Sequence, residues 1–231
     1  MFASASSSSE LRRVLVAGAT GLVGRELLRQ LLADPTVGEV RALTRRPMSR
    51  RDLLGRAGHP AGDERLHVCE VDFDRLDRHV DLFEVDWVGC AMGTTLRKAG
   101  SQAAFRQVDF DYPFKLAQLA RAQGARQLLL VSALGANADS RVFYNRIKGE
   151  LEDALAELDY LSVCVAQPSL LAGERGEFRL AERLGLALGW LMPDRYKPVQ
   201  AAQVAAGLLS AARDERPGWH VLSNVHLRGM R

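Results

Sequence analysis

Cysteine is scarce. The 231 residues hold three, Cys69, Cys90 and Cys164. An odd number without paired metal-type spacing excludes a disulfide framework and a cysteine-based zinc site, so no bound metal is expected. All three sit in apolar runs that read as strands, where a free thiol serves as a small buried hydrophobe. Long hydrophobic runs are lacking as well: none approaches the roughly 20 apolar residues that span a bilayer, so no membrane contact is expected. Charge of one sign is also missing, since 31 basic and 28 acidic residues leave a net +3. Without a segregated basic face there is no case for a nucleic-acid partner. Residues 1–10 are rich in Ser and Ala and lack the basic-then-apolar order of a secretion signal. They read as a disordered lead-in, and the cytoplasm is the expected compartment.

What is present is an alternation of short apolar runs with helical patterns. Arg13 to Ala17, Val40 to Thr44, Leu66 to Val71, Trp87 to Met92, Gln127 to Ser132 and Leu161 to Ala166 read as strands, with a last short one at Trp219 to Leu222. Helical spacing marks Leu22 to Leu32, Ser101 to Ala122, Phe143 to Leu158, Glu177 to Leu191 and Ala201 to Ala212. The stretch 47–65, rich in Arg, Gly and Pro, allows one helical turn at Arg51 to Leu54. Strands apolar throughout imply a parallel sheet covered on both faces, and right-handed crossovers make it doubly wound. The expected class is α/β, a Rossmann fold in one domain over residues 11–231, with 169–231 contributing a minimal C-terminal substrate-side lobe.

The first strand runs straight into Gly18-Ala19-Thr20-Gly21-Leu22-Val23-Gly24, and the first helix begins inside that motif. Gly18 permits the tight turn, Gly21 the approach of a pyrophosphate, and Gly24 the close packing of helix on strand. The helix N-terminus offers its unpaired N–H groups to the phosphates. A dinucleotide is therefore the expected cofactor. NAD(H) sites usually place an acid at the end of the second strand; here that end is Thr44-Arg45-Arg46, and Glu39 is at the wrong end. Two guanidiniums suit a 2′-phosphate, which makes NADP(H) the preferred cofactor and leaves NAD(H) possible. Arg50, Arg51 and Arg56 read as solvated loop charges.

Tyr144 and Lys148 stand four apart on one helical face, and Ser132 closes the fifth strand twelve residues before the tyrosine. With the glycine turn, Asp72-Phe73 after strand three, Gly89 to Gly93 after strand four, and Pro168 after strand six, these resemble the short-chain dehydrogenase/reductases from Val14 to about Val204. Gly93-Thr94-Thr95-Leu96-Arg97-Lys98-Ala99-Gly100, the segment from Val108-Asp109 to Lys115, Ser132-Ala-Leu-Gly-Ala and Lys148-Gly-Glu are similar to the atypical, epimerase-like branch that includes the Tat-interacting oxidoreductase. The resemblance implies roles. Tyr144 would be the general acid/base, Lys148 would lower its pKa and hold the ribose, and Ser132 would polarise a carbonyl. Asp72 and Phe73 would flank the adenine. Gly93, with Thr94, and Pro168 would lie against the cofactor.

The implied function is hydride transfer to or from a small carbonyl or alcohol. Two other readings stay open: a non-catalytic NADP(H)-sensing regulatory or protein-binding module, and a nucleotide-sugar epimerase or dehydratase. The third suffers from the short stretch after Pro168 and from Ser169, where the extended members often carry Gly. Thr95, Arg97, Lys98 and Tyr196 are candidate substrate contacts. The two cations read equally well as solvated loop charges, and Tyr196 as a packing residue. The resemblance also allows a homodimer through the helices at 101–122 and 143–158. The regulatory reading adds a protein partner.

Overall fold

The structure is a computed structural model that describes residues 11–55, 63–172 and 193–230. The lead-in at 1–10, Arg56 and the helical pattern at 177–191 lie outside the described residues. The strands are β1 (Arg12–Ala17), β2 (Val37–Thr44), β3 (Leu66–Glu70), β4 (Trp87–Cys90), β5 (Gln127–Val131), β6 (Ser162–Gln167), β7 (Leu171–Ala172), β8 (Val199–Gln200) and β9 (Gly218–Ser223). Seven of them form one sheet in the order β3-β2-β1-β4-β5-β6-β9, and every pairing is parallel. β7 and β8 make a separate parallel pair. The order reverses between β1 and β4, and such sheets take ligands at the carboxyl ends of the strands at that point.

Alternation along β1 explains the two cores. Val14 and Val16 join the apolar layer under α1 (Leu22–Ala33) and α7 (Ala201–Asp214), while Leu15 and Ala17 join the opposite layer. That second layer holds residues of α5 (Tyr112–Ala122) and α6 (Phe143–Ala156). α1 buries Val23, Leu27, Leu28, Leu31 and Leu32, the stripe its spacing predicts. It stops at Asp34. That buried carboxylate accepts bonds from the Thr36 amide (2.9 Å) and hydroxyl (2.7 Å) and pairs with Arg213 Nε at 2.8 Å. One residue thus ends α1 and ties it to α7. Gly18 has φ +80, and a Cβ there would lie 2.3 Å from the Ala91 carbonyl oxygen. A Cβ on Gly24 would lie 2.2 Å from the Gly18 carbonyl oxygen, so α1 meets the first turn at backbone contact.

Several elements differ from the sequence expectation. The helix expected over 101–122 is α4 (Gln102–Arg106), a π-helical turn (Gln107–Asp111) and then α5. Pro113 has no N–H to give the Asp109 carbonyl four residues earlier, and the Tyr112 N–H reaches back five residues to Gln107. Phe73–Phe83 is 3₁₀ with breaks at Arg75 and His79. The single turn at α2 (Arg50–Leu54) follows a Ser49 capping box. Two short helices, α3 (Leu96–Ala99) and α8 (Asn224–Arg228), had no apolar periodicity to announce them. Among the described residues of the C-terminal stretch, α7 and β9 return to the main sheet, while the β7–β8 pair and the turn Asp194–Tyr196 stand outside it. Among the described residues no helix is long and apolar enough to cross a membrane.

Candidate functional site

A groove of about 530 Å³ opens at the carboxyl ends of β1, β2 and β4. Gly18, Thr20 and Gly21 form its floor, Arg45 stands on the β2 side, and Gly93, Thr94 and Lys98 line the β4 side. Among the described residues, no carboxylate lines it. A second hollow of about 430 Å³ adjoins it through Arg45, Phe73 and Tyr112 and is also lined by Asp72. The Gly18 cradle, which a Cβ would fill, and the absence of acid fit a dinucleotide's phosphates. Leu22, Val23 and Gly24 form the first turn of α1 behind the floor.

The arginines separate. Both are exposed, but Arg45 lines both hollows and Arg46 lines neither. Asp72 caps the 3₁₀ segment by accepting the Asp74 amide at 3.0 Å, and Phe73 is tilted against Tyr112 with ring centres 5.5 Å apart. Tyr112 donates to Asp74 at 2.7 Å; burial and that carboxylate hold its phenol up at about 12.

The structure brings Tyr144 and Lys148 together on α6. Phe105 packs against the Tyr144 ring, with centroids 5.7 Å apart, and the Tyr144 hydroxyl makes no hydrogen bond to a described residue. Burial raises the Tyr144 pKa; Lys148 pulls against that and Asp109 adds to it. Lys148 is buried, its ammonium 2.8 Å from Asp109 Oδ1. Burial alone would lower the Lys148 pKa, but Asp109 and Tyr144 carry it above its ordinary value. The second oxygen of Asp109 accepts the Thr94 amide at 2.8 Å. A Cβ on Gly93 would lie 3.4 Å from Asp109 Oδ1 and 3.7 Å from Lys148 Nζ, so the pair adjoins the groove. Sequence reasoning assigned Asp109 no role. The available signal was Pro113, four residues after an acid inside a helical pattern.

Ser132 directly follows β5, and its hydroxyl is engaged by a side chain of α6. The partner is Glu152, eight residues after Tyr144 on the same helix. Ala133, the next residue, has no hydroxyl to offer instead. Gln167 Nε2 donates to both Glu152 oxygens, at 3.1 and 2.9 Å. Burial pushes the Glu152 carboxyl above its usual range, against the lowering effect of these two donors. The Pro168 carbonyl accepts the Leu134 amide at 2.8 Å. Thr95 caps α3 through the Lys98 amide at 3.3 Å, and Arg97 is exposed on that helix. Tyr196 is 44% exposed, lies under the Arg195 guanidinium and lines neither hollow.

A family profile described as NAD(P)H-binding matches residues 18–214. The chain belongs to this NAD(P)H-binding family. Within it, the chain is an atypical, epimerase-like short-chain dehydrogenase/reductase. It is 33% identical over 194 residues to Protein HTATIP2 of Rattus norvegicus, covering 84% of this chain and 76% of that protein. It is 30% identical over 197 residues to Protein FMP52, mitochondrial, of Candida albicans, covering 82% of each. Among solved structures, an oxidoreductase of the short-chain dehydrogenase/reductase family from Burkholderia thailandensis superposes with a TM-score of 0.70 at 22% identity, over 96% of this chain and 94% of that one. A UDP-N-acetylglucosamine 4-epimerase from Methanobrevibacter ruminantium gives 0.69 at 14% identity, over 93% of this chain and 77% of that one. At these identities the two structures speak for the fold alone.

Proposed function

We propose that this atypical short-chain dehydrogenase/reductase is an NADP(H)-dependent oxidoreductase that transfers hydride between the nicotinamide and a small carbonyl or alcohol, and that it works chiefly as a reductase. The observation that carries this reading is the Tyr144 phenol: largely buried, without a described hydrogen-bond partner, four residues before a lysine that adjoins the dinucleotide groove. A phenol at its ordinary value near 10 is already protonated at neutral pH, and burial moves Tyr144 further in the same direction. A protonated phenol suits the reductive direction, where a carbonyl oxygen gains negative charge and needs a proton. Bound in the groove, the reduced dinucleotide supplies the hydride. Lys148 sets a positive charge beside the cofactor's ribose. Asp109 balances that charge and, through Thr94, holds the loop after β4. Arg45 at the end of β2 supports the preference for the 2′-phosphorylated cofactor, set against Glu70, Asp72 and Asp74 in the adjoining hollow.

The test is NADPH oxidation across a panel of aldehydes and ketones. Tyr144→Phe is expected to lower kcat by about 10²–10⁴-fold with NADPH affinity unchanged. No turnover across the panel, or full activity in Tyr144→Phe, overturns the reading. One observation favours the sensing module instead: the Ser132 hydroxyl is already engaged by Glu152. That reading expects tight NADPH binding, no turnover and a protein partner whose capture is indifferent to Tyr144→Phe.

A further inference from the structure

Resting on the reductase reading, we propose that Glu152 is a positioning residue that controls Ser132. Protonated, it donates to Ser132 Oγ and leaves the serine proton free for the substrate carbonyl; ionised, it accepts the serine's hydrogen bond and keeps that proton from substrate. The argument is one of donor count. A serine hydroxyl has one proton. Polarising a carbonyl requires that proton to point at substrate, whereas here it points at Glu152. An ionised carboxylate can only accept, so it holds the serine in this arrangement. A neutral carboxyl can donate, and the serine oxygen can accept.

The surroundings support a carboxyl that changes state. Glu152 sits at the joined ends of β5 and β6, on the helix face that carries Tyr144 and Lys148. Gln167 donates to both of its oxygens from one nitrogen, so that amide is satisfied in either state. The charged groups acting on it are Lys148 and Asp153 of its own helix. β5 and β6 present Ser132 and Gln167, neither of which titrates in this range. Its own pKa is raised by burial, which brings the neutral form closer to working pH.

The decisive comparison is the pH profile of kcat/KM for carbonyl reduction at saturating NADPH. In the wild type, the rate is expected to fall about tenfold per pH unit above the Glu152 midpoint. In Glu152→Gln, an isostere that donates to Ser132 at every pH, that limb is expected to be flat and the high-pH rate raised. In Ser132→Ala and in Ser132→Ala/Glu152→Gln the two rates should coincide. A wild-type slope retained in Glu152→Gln overturns the proposal while leaving the reductase reading intact. A second arm needs no turnover. The Glu152 carboxyl, assigned in ¹³C NMR as the resonance lost in Glu152→Gln, should titrate above the ordinary glutamate range, with its midpoint moved upward in Ser132→Ala. An ordinary midpoint, or one that Ser132→Ala leaves unmoved, overturns the proposal even in a chain that turns nothing over.

Discussion

The Lys148 ammonium lies 2.8 Å from the Asp109 carboxylate, and the two side chains are 4% and 0% exposed. Neither charge reaches bulk water, so each depends on the other. Removing one partner leaves an uncompensated charge at a cost of about 3–5 kcal/mol. Asp109→Asn should lose stability of that order in urea denaturation, and should weaken NADPH binding as the Thr94 loop loosens. A loss below about 1 kcal/mol would mean that the lysine charge is compensated elsewhere. Because the folded-state pKa of Lys148 is raised, its contribution is complete below the unfolded value near 10.4 and fades only as pH rises through the folded one. Neutral solution therefore keeps the pair whole.

Cofactor preference should rest on one arginine rather than two. Arg45 lines the groove and Arg46 does not. Arg45→Ala should cut the ratio of NADPH to NADH affinity by about 10–100-fold, the weight of one or two charge-assisted hydrogen bonds. Arg46→Ala should change it little. Equal affinity losses for both cofactors in Arg45→Ala would remove the 2′-phosphate from its assignment.

Asp34 should dominate the acid side of the stability curve near α1. Burial works against its ionised form, yet the Thr36 amide and hydroxyl and Arg213 together lower its pKa. A lowered carboxyl contributes stability above its unfolded value near 3.9, and that stability is lost as pH falls through the folded value. Asp34→Asn should cost about 1–3 kcal/mol at neutral pH and flatten the loss of melting temperature between neutral and acid solution. A variant as acid-sensitive as the wild type would place that sensitivity elsewhere.

Much of the fold was legible because apolar runs and glycines act locally. Val14 to Ala17 reads as a strand buried on both faces, and it is one. Gly18 reads as a tight turn and Gly24 as close packing of helix on strand, and the φ of +80 at the first and the 2.2 Å approach at the second agree. Tyr144 and Lys148 share a face because the helical repeat is local arithmetic. Asp109 was not legible in the same way. Its meaning depends on meeting Lys148 from another helix, and a uniform helix over 101–122 carries no such information. The partner of Ser132 was hidden for a similar reason: a hydroxyl at a strand end faces several neighbours, and packing chose Glu152. The recurrence of Tyr144, Lys148 and Glu152 at four-residue intervals was visible and carried that hint. Arg45 and Arg46 were inseparable in sequence because adjacent residues differ only in the direction the chain gives them.

The widened turn at Gln107–Asp111 makes residue number, more than residue type, the sensitive quantity in this stretch. An α-helix advances about 100° per residue. Deleting one residue there would restore ordinary helical phase and swing the carboxylate from its lysine by that angle, though every remaining side chain kept its identity. A single-codon deletion would therefore dismantle the centre without altering any other residue in it.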